Sequence, residues 1–138
     1  MKTYTTNYQN TLIEIAQDCP THSGVIPLIK GDRPTVAHLQ FNRLYEHPYQ
    51  YTSDEVLFDV FAARQDLKEE EYEEAKQQFF SKGQACFRAS PLTKQYGWGV
   101  HSNEHGKIAL YGAETDAYRQ LVANPSVKKV KAMRSRRP

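Results

Sequence analysis

A chain of 138 residues, 39% hydrophobic and 25% charged, has the length and balance of one globular domain with a core of its own. No stretch approaches the roughly 18–20 apolar residues of a membrane helix, and polar residues fill positions 5–11 where a secretory leader would be apolar, so the cytoplasm is the expected compartment and no membrane is expected as a partner. The formal net charge is only +2, and two widely separated thiols, Cys19 and Cys86, make neither a disulfide framework nor a zinc finger.

In chain order, TLIEIA (11–16) is rich in β-branched residues, with Ile13 and Ile15 on one face, and predicts a strand. Pro20, Gly24, Pro27, Gly31 and Pro34 then break any regular element, although VIPLI (25–29) could hide a short strand. Thr35 to Glu46 carries Val36, Leu39, Leu44 and Tyr45 at near-helical spacing and stops before Pro48. Thr52 and Glu55 fit a capping box that opens a helix through Arg64, with Val56, Leu57, Val60, Phe61 and Ala63 as its inner face. A break at Asp66 or Leu67 separates it from a helix over 68–81 built on Tyr72, Ala75 and Phe79, with Gly83 at the C-terminal cap position. The glutamates at 69–71, 73 and 74 lie in its first turns, where the helix dipole favours negative charge, and read as a solvated face.

Alternation predicts a strand over 84–89, with Phe87 and Ala89 facing inward and Cys86 and Arg88 facing outward together with Ser90. Ser90-Pro91 starts a short helix that Gly97 can end. Asn103-Glu104-His105-Gly106 suits a three-residue hairpin loop, which pairs 103 with 107, 101 with 109, 100 with 110 and 99 with 111. Trp98, Val100, Ile108 and Leu110 then share a buried side, and Gly99, His101, Ala109 and Tyr111 share the other, with the Tyr111 ring over Gly99. Thr115 caps a helix through Val122 that Asn124-Pro125 ends, and 127–133 reads equally as a strand or a helical turn. These elements make a single α+β domain over 1–138, an antiparallel sheet of 11–16, 84–89, 98–103 and 107–112 with a C-terminal hairpin and packed helices, and about 134–138 as a flexible basic tail.

Charge is unevenly spread. Residues 52–80 hold nine acids against three bases, while residues 81–138 hold eleven bases against three acids. Lys128, Lys129, Lys131, Arg134, Arg136 and Arg137 make the C-terminal segment a weak candidate for nucleic-acid binding, or a solvated terminus. The predicted ligand-binding set is Lys82, Arg88 and Ser90 at the helix start, with His101 and Tyr111 on the same polar side of the sheet; the alternative for Arg88 is an internal salt bridge to the acidic helices. Cys86 and His101 form the one nucleophile–base combination in the chain, a weak catalytic candidate beside the reading of a buried, inert thiol. His101 and His105 fall on a strand and in a turn, so their spacing does not make a metal pair, and no metal or cofactor is expected.

The segments YTSDEVLF, FFSKGQACFRASPL, YGWGVH, GKIALY and VKAMRS, with NTLIEIAQDCP near the start, resemble a family of small bacterial proteins that is a domain of unknown function. The likeness covers nearly the whole chain and implies one intact domain, but no activity. The expected function is a non-catalytic cytosolic binding module for an anionic partner, a phosphorylated small molecule or nucleic acid. The alternatives are a small enzyme using Cys86 or His101, and a self-associating structural protein.

Overall fold

The structure is a computed structural model that describes residues 3–29 and 31–136. Arg137, one of the candidate tail bases, lies outside the described residues. Five strands, β1 (Thr11–Glu14), β2 (Tyr51–Thr52), β3 (Trp98–Ser102), β4 (Lys107–Gly112) and β5 (Lys128–Lys131), form one sheet in the order β2-β4-β3-β1-β5. Neighbours are antiparallel except β5, which runs parallel to β1 with Thr11 opposite Lys128 and Ile13 opposite Val130. Among the described residues, five α-helices accompany the sheet: α1 (Val36–Leu44), α2 (Ser53–Arg64), α3 (Tyr72–Phe79), α4 (Pro91–Lys94) and α5 (Asp116–Ala123). The chain is thus α+β. None of the described helices is long and apolar enough to cross a membrane.

Local chemistry explains where the helices begin. Thr35 accepts the His38 amide to open α1, and Thr52 and Glu55 exchange side-chain and backbone bonds to open α2. Thr115 does the same for α5 through the Tyr118 amide. Helix α2 buries Val56 and Val60, as its pattern predicts, but also Phe58 and Ala62, while Ala63 is exposed. The reason is a second layer: Phe58 leaves the sheet side and packs among Tyr72, Phe79 and Phe80. Helix α3 ends at Phe80, and Gly83 does not take the left-handed conformation of a cap.

The hairpin register is as predicted, with Val100 opposite Leu110 and Gly99 opposite Tyr111, and Gly106 at φ +76° in the turn. Gly99 is covered by a different ring than its partner's. A Cβ there would come within 2.5 Å of the Tyr118 ring of α5, so this helix approaches the sheet closely only over a bare backbone.

The predicted strand over 84–89 does not form. Cys86 Sγ accepts the Arg88 amide, Thr93 Oγ1 donates to the Phe87 carbonyl, and residues Phe87–Ala89 close a 3₁₀ turn with Phe87 buried. Side-chain capping at both ends outweighs a short alternating pattern, and the sheet gains β5, parallel to β1, instead. VIPLI is irregular over the described positions 25–29.

The two sheet faces are covered differently. Ile13, Val100, Ile108 and Trp98 pack with Phe41, Leu44, Val56, Phe87 and Leu92 from α1, α2 and the segment around α4. On the opposite face Leu12, Tyr118 and Val127 make a smaller cluster beneath α5.

Candidate functional site

The buried stripe of α1 is Ala37, Gln40, Phe41 and Leu44, a helical repeat with one polar member. Gln40 is 3% exposed, and its Oε1 accepts the Ser90 hydroxyl at 2.5 Å. Ser90 in turn accepts the Leu92 amide at 3.1 Å as the cap of α4. That bond satisfies the carboxamide oxygen in an apolar setting, where an unpaired oxygen would cost about 1–3 kcal/mol.

Gln40 and Ser90 sit in a cleft of about 260 Å³ between α1, the end of α2 and the 84–91 segment. Its walls are mainly apolar, among them Val36, Leu57, Val60, Phe61 and Ala89. Cys86 lines it too, and Arg64 and Gln65 bring polarity from the C-terminal turn of α2. The Arg64 carbonyl accepts Arg33 Nη2 at 3.2 Å, and no acid among the described residues pairs with the Arg64 guanidinium. Phe61, Gln65, Phe79 and Gln84 also line an adjoining groove along α3, together with Lys82 and Glu74.

Cys86 Sγ lies 3.9 Å from the Tyr8 hydroxyl and 3.4 Å from the Arg88 amide. Burial, and then Cys86 itself, push the Tyr8 phenol up, against a smaller downward pull from Arg88, so Tyr8 stays protonated beside the thiol.

On the other face, Tyr49 places its hydroxyl 2.7 Å from both His101 Nδ1 and the Tyr111 hydroxyl. A phenol has a single proton to donate, so Tyr49 gives to at most one of these neighbours and accepts from at least one. Burial first, then the Tyr111 contact, drives the Tyr49 phenol far upward. Burial also lowers the His101 imidazole, which keeps it neutral near pH 7. Tyr49 holds this position at φ +60°, a left-handed backbone that costs an aromatic residue about 1–3 kcal/mol.

The predicted ligand set therefore divides among three places. Lys82, Cys86 and Ser90 lie along the cleft and its groove. Arg88 donates from Nε to the Lys131 carbonyl at 2.7 Å, while its own carbonyl accepts the Met133 amide. It does not flank His101, because the strand that was to carry it there is a 3₁₀ turn, and it makes no ion pair with the acidic helices. His101 and Tyr111 come together through Tyr49 on the far face of the sheet. Cys86 and His101 have separate partners, Tyr8 and Tyr49. Ser90 is buried, and α4 spans only four residues, too short for a helix dipole to attract an anion.

Among the tail bases, Lys129 Nζ caps α5 by donating to the Asn124 and Val127 carbonyls, and Lys131 stands 3.9 Å from Glu14. The Ser135 and Arg136 amides donate to Asp18, whose carboxyl they hold below its usual range, the Arg136 bond contributing most. His105 is exposed in the turn, and no group of three metal-ligating side chains occurs among the described residues.

Sequence reasoning missed Gln40, Arg64, Tyr8 and Tyr49. Gln40 alone had a readable signal, a polar residue inside an apolar helical stripe. A family model described as a family of unknown function, DUF6157, matches residues 2–138. No curated protein and no solved structure matches the chain.

Proposed function

Since the chain belongs to the DUF6157 family, whose function is unknown, we propose from the geometry that it is a non-catalytic binding module for a small molecule with an apolar body and an anionic group, held in the cleft between α1, α2 and residues 84–91. The observation that carries this reading is the cleft itself: about 260 Å³ of mainly apolar lining with Arg64 among its residues and the Gln40–Ser90 pair beside it. Ligand sites are typically concave and apolar with a few placed polar groups. Arg64 supplies a forked donor for a carboxylate or phosphate, the role that the sequence assigned to Arg88. The space suits a small molecule rather than a polynucleotide. Free Cys19 and Cys86 are in keeping with a reducing compartment, the cytoplasm.

Calorimetric titration with a panel of small aliphatic and aromatic carboxylates and phosphates tests the reading. The protein is expected to bind a subset. Arg64→Ala should weaken that binding by about 1.5–3 kcal/mol, the worth of a charged hydrogen bond. Ala89→Phe, which fills the cleft, should abolish it. Equal affinity in the wild type and both variants would place the ligand elsewhere and overturn the proposal.

A further inference from the structure

The loop over 25–29 exposes four aliphatic side chains: Val25 at 44%, Ile26 at 57%, Leu28 at 73% and Ile29 at 53%. Single exposed aliphatics are ordinary, but four within five residues of one loop mark a surface that meets something other than water. The loop is anchored. The Val25 amide donates to the Tyr96 carbonyl at 2.8 Å, the Val25 carbonyl accepts Trp98 Nε1 at 2.8 Å, and Pro27 is fully buried, with its carbonyl 3.3 Å from His38 Nδ1. With Pro27 directed inward, the residues on both sides of it are turned out.

Its anchor point adjoins the basic C-terminal segment. Tyr96, which holds Val25, lines one depression together with Pro20, Gln95, Ser135 and Arg136. Met133, 51% exposed, stands in that segment just before Arg134. Acids on this side are engaged: Asp18 accepts the amides of Ser135 and Arg136, Glu114 accepts the amide of Gly24, and Glu14 stands 3.9 Å from Lys131. Of the bases in the C-terminal segment, Arg134 and Arg136 stand by Asp18 at this depression, and both are exposed.

We propose that this side of the molecule docks onto an anionic lipid surface, with the Val25–Ile29 loop entering the interfacial layer and the C-terminal bases meeting the headgroups. Aliphatic insertion and basic attraction are the two contributions that together hold a peripheral protein on a bilayer, and neither needs a spanning helix. Charge favours a membrane over a second copy of the chain. A two-fold contact through this patch would set like-charged segments against each other, whereas an anionic bilayer complements both the apolar loop and the bases beside it.

Co-sedimentation of the full chain with vesicles of phosphatidylcholine, alone and mixed with phosphatidylserine, tests this. The wild type should pellet with the mixed vesicles only, and less as salt rises. Ile26→Asp with Leu28→Asp should weaken binding at least about ten-fold. Arg134→Gln with Arg136→Gln should weaken it several-fold and flatten the salt dependence. All four positions are exposed, and unchanged thermal midpoints will show that the folds are intact. A wild type that ignores the mixed vesicles, or a loop variant that binds them equally, would overturn the proposal. So would a dimer in sedimentation velocity that the loop variant dissociates, with no vesicle binding, since the patch would then join two copies.

Discussion

On the face that carries Ile13, Val100 and Ile108, helices α1 and α2 and the segment around α4 exclude water, and buried polar groups there, such as Gln40 and Ser90, are paired. On the face that carries Leu12, His101 and Tyr111, α5 packs down, and an imidazole–phenol–phenol chain centred on Tyr49 lies beside it. The first side gains its stability from apolar area, which is non-directional and roughly additive. The second relies on hydrogen bonds whose net worth is small and whose geometry is strict. The contrast teaches where each kind of substitution should register: volume on the first face, protonation on the second.

The largest expected effect is on the thick side. Phe87→Ala removes a fully buried ring from the main core and should lower unfolding free energy by about 3–5 kcal/mol in urea titration. A loss below about 1 kcal/mol would mean that the 87–89 turn collapses freely into the space the ring leaves. Next is the buried polar pair. Gln40→Leu strands the Ser90 hydroxyl and should cost about 1–3 kcal/mol, while Gln40→Leu with Ser90→Ala should recover part of that loss. Strict additivity in this cycle would show that the 2.5 Å bond carries no coupling.

The smallest effect belongs to the thin side. His101 titrates below its ordinary value of 6.5 because burial disfavours the imidazolium. The unfolded chain therefore takes up a proton at a pH where the folded one does not. Stability is full above about pH 6.5 and falls as pH drops toward the lower folded value, with no further change below it. Tyr49, whose phenol burial drives upward, bonds the ring and stays neutral through that window. His101→Gln should flatten this part of the stability profile measured from about pH 8 to about pH 5. An unchanged slope would assign the loss to other groups.

Much of the fold was legible because local rules and tertiary demands agree there. The Thr52 and Thr115 caps, the hairpin register from Asn103 to Lys107 and a strand opening at Thr11, though it ends at Glu14 and not at 16, all satisfy both. The segment 84–89 failed because two-residue alternation over six positions cannot be told from a capped 3₁₀ turn until the Thr93–Phe87 bond is known. Strand β5 stayed undecided since KKVK has no buried face to announce it; its lysines suit an edge that must not pair further. The site was less legible than the fold. Cys86 and Ser90 line the cleft and Lys82 the adjoining groove, but the guanidinium among the cleft's residues, Arg64, sits at a helix end where arginine is commonplace. The Tyr49 bridge depends on a left-handed tyrosine that nothing in its neighbours demands.

Strand β1 sits near the start of the chain, yet its two neighbours in the sheet are β3, about residue 100, and β5, about residue 130. The sheet is therefore closed by pairings of very long sequence separation, the kind that makes folding slow. During synthesis Leu12 and Ile13 must wait for both partners, and the helix-covered side cannot seal until the hairpin has been made. A nascent chain halted before residue 128 would hold β1 as an unpaired apolar edge, a template for aggregation that chaperones exist to shield.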